Sequence, residues 1–194
     1  MTIITKAAWT AKYNVCEGGT ARTAAALEAN GLTMDDEVSM QDIMRTLGLS
    51  DTLFSFCKVK RGCEPEAQRV LGEFMRAVVG YALRWITFTR SDLSEALVQA
   101  NKAINKRCDG ISRPALLAQE YAKINDLYRV EHEPKIKYWL DVYRCVLSNK
   151  PDHLAATHAA IALMDGADVM KMRNAVHEQL CAVLNNLLET GGEV

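Results

Sequence analysis

Cysteine and histidine are the side chains of this sequence that could ligate a metal, and their spacing argues against such a site. The 194 residues include six cysteines and four histidines. Local zinc motifs place two cysteines about two to four residues apart, whereas Cys57 and Cys63 lie further apart. A zinc-protease helix needs two histidines about four residues apart with a glutamate beside them, and His153 and His158 do not match that spacing. We therefore predict no metal centre and no cofactor.

Nucleophilic catalysis is the second chemistry that these side chains could perform. A catalytic cysteine or serine needs a base oriented beside it, and the sequence has neither a nucleophile elbow nor paired carboxylates. Cysteines within helices are more often small core residues. The glycine-rich stretch "CEGGTARTAAALEANG" at 16–31 lacks the lysine before serine or threonine that a phosphate loop requires. The sequence therefore predicts a protein that is not an enzyme.

Residues 39–61, "SMQDIMRTLGLSDTLFSFCKVKR", have the outline of a helix-turn-helix. Ile43 and Leu47 can pack a first helix, and Gly48 can form the tight turn. A DNA-reading second helix needs a polar face for the base edges, but this second helix is mostly apolar, with its basic residues at the far end. Those residues are Lys58, Lys60 and Arg61. We interpret the stretch as two packed helices and keep a DNA-binding regulator as the alternative.

The overall composition limits the classes of function. Lys and Arg number 23 against 24 Asp and Glu, a net charge of −1, and such a chain lacks the basic field that broad nonspecific nucleic-acid binding needs. No apolar run approaches the ~18 residues of a membrane span, so we predict no membrane contact. The first residues lack the basic and long apolar regions of a signal peptide. We expect a cytoplasmic protein with reduced cysteines.

The elements that position these side chains are predicted to be helices. All four prolines, at 65, 114, 134 and 151, stand where a helix would begin, a position that tolerates the missing N–H. Apolar residues recur at steps of three and four, which indicates amphipathic helices. We predict an all-α fold, a compact bundle of about eight or nine helices with little or no strand. An N-terminal helical segment 1–60 precedes a main bundle 61–194, or the two form one continuous domain.

The segment 131–147 is rich in aromatic side chains. Tyr138, Trp139 and Tyr143 load more than one side of the predicted helix. Tyrosine and tryptophan dominate the energetics of protein interfaces, although a half-buried core position is the commoner arrangement for them. The two-sided loading is wider than a single core stripe needs, so it favours contact with another chain.

The last predicted helix carries an apolar stripe that broadens towards its end. Leu184 and Leu188 extend this stripe beyond the ~100° that one core contact uses. An exposed remainder would be an unstable patch unless something covers it. Either Trp9 and Tyr13 fold over these leucines or a second copy of the chain does. Two-fold pairing lets one patch cover itself, which favours a homodimer.

Read in order, the chain resembles a loose group of small all-helical proteins encoded by phages and bacteria, some of them immunity-like. The resemblance covers residues 41–188 and rests on "LGLSDTLFSFCKV", "RSDLSEALVQANKAI", "RCDGISRPALLAQEYAK" and "DHLAATHAAIALMDGADV". It implies a protein that acts by binding another protein, with no catalytic residues to carry over. We therefore predict a non-enzymatic protein that binds an unidentified protein target, as an inhibitor or modulator of a host or defence protein.

Overall fold

The computed structural model of this chain describes residues 2–7, 19–33, 35–111, 114–167 and 170–191, with residues 19–23 described by their backbone alone. Within these ranges it contains nine α-helices, two short 3-10 helices and one two-stranded sheet. The all-α fold expected from the sequence is confirmed. Among the residues described, no helix combines the length and the apolar character that spanning a membrane requires.

The first elements alternate short strands with short helices. They are β1 (Ile4–Lys6), α1 (Gly19–Ala29), β2 (Glu37–Ser39), α2 (Met40–Leu47), α3 (Leu49–Ser55) and a 3-10 turn (Phe56–Lys58). The remaining elements are helical. They are α4 (Glu64–Thr89), a 3-10 turn (Ser91–Leu93), α5 (Ser94–Cys108), α6 (Pro114–Val130), α7 (Pro134–Leu147), α8 (Asp152–Asp165) and α9 (Met170–Thr190).

The prolines stand at the helix starts, as predicted. Pro114 and Pro134 are the first residues of α6 and α7, and Pro65 is the second residue of α4. Pro151 directly precedes α8. A proline fits the first helical turn because the N–H that it lacks would have no partner there. These helix starts are therefore encoded locally.

Contacts divide the chain into two units, which are described separately. One comprises Met1–Val70 with Cys181–Val194, and the other comprises Leu71–Leu180. Helices α4 and α9 contribute residues to both. The sequence suggested a boundary near residue 60, whereas this division falls within α4 and groups the last turns of α9 with the N-terminal residues. A boundary sought along the chain does not detect a C-terminal segment that returns to the first unit.

The first unit contains a small sheet that the sequence did not reveal. Strands β1 and β2 pair antiparallel, with Ile4 opposite Ser39 and Lys6 opposite Glu37. Strands of three residues are too short to show an alternating pattern of apolar and polar residues. The buried apolar cluster of this region consists of Ala7, Leu27, Val38 and Ile43.

The second unit is built from α5 to α8 with parts of α4 and α9. Helix α8 packs chiefly against α7. Its buried small residues include Ala155, Ala156, Ala159 and Ala160. Since the distance between two helix axes depends on the side chains at their contact, these methyl groups allow α7 and α8 to lie close together. The outer faces of the two helices are thereby brought side by side.

A close backbone approach joins α4 to α5 at Gly72. A Cβ atom at this position would lie 2.8 Å from the carbonyl oxygen of Cys108, closer than carbon and oxygen atoms pack. Gly80, in the same helix, has nothing within 4 Å of the corresponding position. Packing therefore requires glycine at the first position and not at the second.

Replacing Gly72 with alanine is expected to lower the free energy of unfolding by about 1–2 kcal/mol, because the added methyl group forces α4 and α5 apart. The control, Gly80→Ala, is expected to raise the free energy of unfolding by roughly 0.5–1 kcal/mol, because alanine favours a helix more than glycine does. Urea unfolding followed by circular dichroism measures both. Equal stabilisation by the two substitutions would contradict the close approach at Gly72.

Candidate functional site

A cleft of about 330 Å³, lined by both polar and apolar groups, opens between α6, α7 and α8 of the second unit. This volume suits a small ligand or a few side chains of a partner. We call it the α7–α8 cleft. Helix α7 contributes Tyr138, Asp141, Arg144 and Cys145, and α8 contributes His158, Ile161 and Asp165. Tyr121 of α6, Ser148 and Lys150 complete the part of the lining that carries polar groups.

A second cavity of about 440 Å³ shares two lining residues with this cleft, Tyr121 and Ser148. Its other lining residues are mostly apolar, including Pro114 and Leu117 of α6 and Leu147 of α7. The cleft and the apolar cavity thus meet at the same two residues. Binding sites commonly combine apolar walls, which provide contact area for a ligand, with a few polar groups, which fix the orientation of the ligand.

The lining residues recur at helical spacing. Tyr138, Asp141 and Cys145 share one face of α7, and His158 and Asp165 share one face of α8, because residues three, four or seven apart lie one above another. Polar residues at this spacing on two consecutive helices are the signal that could have indicated the cleft from the sequence. The apolar stripes of the sequence did not indicate Lys150 or Ile161, and His158 was considered only as a metal ligand.

One guanidinium holds the loop between α7 and α8. Arg107, near the end of α5, has a side chain that is 10% exposed. It donates hydrogen bonds to the carbonyl oxygens of Val146, Ser148 and Lys150 at 2.5, 2.6 and 2.6 Å. Its Nε and Nη2 also donate to Asp152 Oδ1 at 2.9 and 2.7 Å. Carbonyls at a helix C-terminus lack partners within the helix, so this charged donor joins the end of α7 to the start of α8 and fixes the loop that carries Lys150.

Lys150 and His158 form a direct contact at the cleft. The Lys150 Nζ atom lies 2.8 Å from Nδ1 of His158. An ammonium group can only donate, so Nδ1 accepts, and the imidazole is neutral with its proton on Nε2. Burial and the neighbouring Lys150 charge both lower the pKa of His158. The ring therefore stays neutral at physiological pH, and the positive charge of the pair belongs to Lys150.

Arg144 contacts both a carboxylate and an aromatic ring. Its Nη1 lies 2.7 Å from Asp141 Oδ1, and its guanidinium carbon lies 4.0 Å from the centre of the Tyr128 ring, which is cation–π geometry. The Nε atom of Arg144 is buried and has no hydrogen-bond partner among the described residues. A buried donor without an acceptor carries a free-energy cost, so this N–H lowers the net stabilisation that the buried guanidinium provides.

The thiol of Cys145 in the cleft is a poor nucleophile and metal ligand. Burial raises the pKa of the Cys145 thiol to about 11, so it stays protonated at neutral pH. Nucleophilic attack and metal ligation by cysteine both use the thiolate. In the described ranges, no three His, Cys, Asp or Glu side chains are grouped so that they could hold a metal ion.

The three aromatic residues that the sequence suggested for an interface differ in their exposure to solvent. Tyr138 is 43% exposed and lines the cleft. Trp139 is only 6% exposed and stacks on Trp85 with ring centroids 5.8 Å apart, and Tyr143 is fully buried. The interface prediction is therefore corrected for Trp139 and Tyr143, because both project from the face of α7 that packs inside the second unit.

Leu184 and Leu188 require a second correction. They are 0% and 7% exposed, so the chain itself buries them. Gln41 Nε2 donates to the carbonyl oxygen of Leu188 at 3.1 Å, which places the end of α9 against α2. Trp9 and Tyr13, the cover suggested from the sequence, lie outside the described residues. The broad stripe therefore supplies no reason for a second copy, and the homodimer stays a prediction.

Helices α2 and α3, within residues 39–61, form a tight helix pair. Ser39 caps α2 by accepting a hydrogen bond from the N–H of Asp42 at 3.0 Å. Gly48 makes the turn with φ of 86°, a conformation that glycine adopts without strain. Helix α3 has seven residues and buries Leu53. It is a short packing helix rather than a long helix with a polar face for DNA.

The three basic residues suggested for DNA contact lie at and after the end of this helix pair. Lys58 ends the 3-10 turn, and Lys60 and Arg61 follow it. The backbone N–H of Lys60 donates to the carbonyl oxygen of Ile4 in β1 at 2.7 Å, and its Nζ lies 2.6 Å from the Glu37 carboxylate. The basic residues thus belong to a segment that pairs with β1, so the DNA-binding alternative gains no support.

Comparisons of the chain with protein-family models, with curated proteins and with solved structures find no match. The resemblance to phage and bacterial immunity-like proteins therefore stays a prediction from the quoted motifs, and the candidate site rests on the geometry of the chain itself.

Replacing Arg107 with methionine is expected to lower the free energy of unfolding by roughly 3 kcal/mol, because it leaves three carbonyls and the Asp152 carboxylate without their donor. The control is Arg173→Met. Its ion pair with Asp165 is 3.0 Å long with a half-exposed arginine, and such pairs contribute less than about 1 kcal/mol. Chemical unfolding compares the two variants. Equal losses would show that Arg107 is an ordinary surface ion pair.

Changing Lys58, Lys60 and Arg61 together to glutamate is expected to leave the affinity of the chain for DNA unchanged, because these residues are not on a recognition helix. A mobility-shift assay with duplex DNA at about 50 and 200 mM salt measures this. We expect no complex with either protein at micromolar concentration. A tight, salt-sensitive complex that the triple substitution abolishes would restore the DNA-binding alternative.

Proposed function

We propose that this chain is a non-enzymatic binding protein and that the α7–α8 cleft is the surface by which it contacts a partner protein. The observation that carries the proposal is a pair of exposed hydrophobic side chains on neighbouring helices at one concave site. Tyr138 on α7 is 43% exposed and Ile161 on α8 is 40% exposed, and both line the cleft. Aromatic and aliphatic anchors around a pocket are typical of interface centres.

The rigidity of the cleft supports this proposal. Its two long walls belong to helices that pack closely through the alanines of α8, and Arg107 holds the loop at one end. A preformed surface binds with a smaller loss of conformational entropy than one that must be ordered on contact. The cleft can therefore act as a docking site without rearrangement of the backbone.

The side chains of the cleft favour binding over catalysis. Cys145 is a protonated thiol because burial raises its pKa. His158 accepts a hydrogen bond from the ammonium group of Lys150. The triad geometry of nucleophilic catalysis needs a base within reach of a nucleophile that it can deprotonate, and these contacts do not supply it.

We propose a host or defence protein as the partner. The resemblance to immunity-like proteins of phages and bacteria favours a host or defence protein as the target, with this chain as its inhibitor or modulator. No residue role comes from that resemblance. The cleft alone defines where contact with the target would occur.

Photo-crosslinking is expected to capture one and the same partner from two positions in the cleft. The reactive residue p-benzoylphenylalanine replaces Tyr138 in one variant and Ile161 in the other, in cells of the native host. The control carries it at Val98, which is 45% exposed on α5 and lines neither cavity. We expect a shared adduct from the first two variants and none from the control.

The captured partner is then purified and titrated by calorimetry. Changing Tyr138 and Ile161 to alanine is expected to weaken its binding about tenfold or more, since central interface anchors carry most of the binding energy. Val98→Ala is expected to leave the affinity unchanged. A partner that crosslinks only from Val98, or from the highly exposed Phe88 on α4, would place the interface elsewhere.

A further inference from the structure

The charged side chains that line the α7–α8 cleft differ in whether they have a partner of opposite charge. Arg144 pairs with Asp141 at 2.7 Å, and Asp165 pairs with Arg173 at 3.0 Å. Among the described residues, no carboxylate lies within ion-pair distance of Lys150, and its contact is the neutral ring of His158 at 2.8 Å. After these pairs are formed, the cleft retains one uncompensated positive charge.

Hydrogen-bond donors remain on Lys150 and on the His158 ring beside it. Two N–H groups of Lys150 remain after its bond to His158, because an ammonium group has three donors. The Nε2–H of His158 points away from that bond. These donors belong to side chains that line one cleft. An acceptor with negative charge can bind the remaining N–H groups of Lys150.

We infer that the α7–α8 cleft receives the carboxylate of an aspartate or glutamate side chain from the partner protein, bound by Lys150. This inference rests on the proposed function and names the chemistry that the partner must present. The exposed Tyr138 and Ile161 supply apolar contact beside the charge, so the matching segment carries an apolar residue next to its acidic one. The volume of about 330 Å³ accommodates side chains of that size.

The other charges in the cleft favour a single negative charge over a doubly charged group. Asp141 and Asp165 both line the cleft, and a phosphate dianion would experience repulsion from these two carboxylates. Lys150 neutralises only one unit of negative charge. A carboxylate therefore matches the balance of charge in the lining, whereas a phosphate dianion leaves an excess of negative charge there.

The test uses two blocked dipeptides that differ in charge alone, N-acetyl-Phe-Glu-amide and N-acetyl-Phe-Gln-amide. Each is titrated into the ¹⁵N-labelled full chain and followed by NMR chemical shifts. We expect the glutamate peptide to shift amide signals around Tyr138, Lys150 and Ile161 with a dissociation constant on the order of 1 mM. The glutamine peptide is expected to bind about fivefold or more weakly, because it lacks the charge-assisted bond.

Lys150→Met is expected to abolish the preference for glutamate, while Lys150→Arg keeps it. Lys102→Met, at an exposed position on α5 that lines neither cavity, is the matched control and is expected to behave as the parent chain. Dispersed amide spectra confirm that each variant is folded.

Three results would overturn the inference. They are equal binding of both peptides, glutamate binding that survives Lys150→Met, and tighter Lys150-dependent binding of inorganic phosphate than of the glutamate peptide. The crosslinking result separates these failures from failure of the proposed function. Shared adducts at Tyr138 and Ile161 with no glutamate preference would keep the docking site and reject its acidic ligand. Adducts from the control position alone would reject the docking site itself.

Discussion

The second unit depends on the hydrogen bonds of Arg107. A guanidinium group has five donors in a fixed planar geometry, and here it bonds to three successive elements of the chain at once. The carbonyls of Val146 and Ser148 lie at the end of α7, that of Lys150 lies in the loop, and the Asp152 carboxylate begins α8. With α5 as its base, this side chain sets the path of the loop and hence the position of Lys150 at the cleft.

The buried face of α7 determines which of its side chains remain exposed for contact with a partner. Tyr138 and Trp139 are neighbours in sequence, yet one is exposed and the other is packed in the core, because successive residues on a helix point about 100° apart. Gly166 makes this possible, since a Cβ there would lie 2.6 Å from the indole nitrogen of Trp139. The buried face of α7 supplies stability, and the opposite face meets α8 to form the cleft.

The helix pair at residues 39–61 shows how one local pattern serves different roles. The cap at Ser39 and the turn at Gly48 are the same devices that DNA-reading proteins use. In this chain, the role of the cap and the turn depends on the strands that lie next to the helix pair. The segment after α3 pairs with β1, and Glu37 of β2 matches the charge of Lys60. Lys60 therefore contributes to the structure of the first unit through its backbone hydrogen bond and its ion pair.

The sequence by itself determined the helical class and four of the nine described helix starts of this protein, because those signals act within one helical turn. Proline at 65, 114, 134 and 151 and the apolar steps of three and four needed no distant partner. Only the tertiary structure decided that Leu184 and Leu188 are buried, that Trp139 faces inward, and that Lys150 and His158 meet at a cleft. The Arg107 contacts join residues 39 to 45 positions apart, and a side chain's partner at such a separation depends on how whole helices pack, which no local pattern encodes.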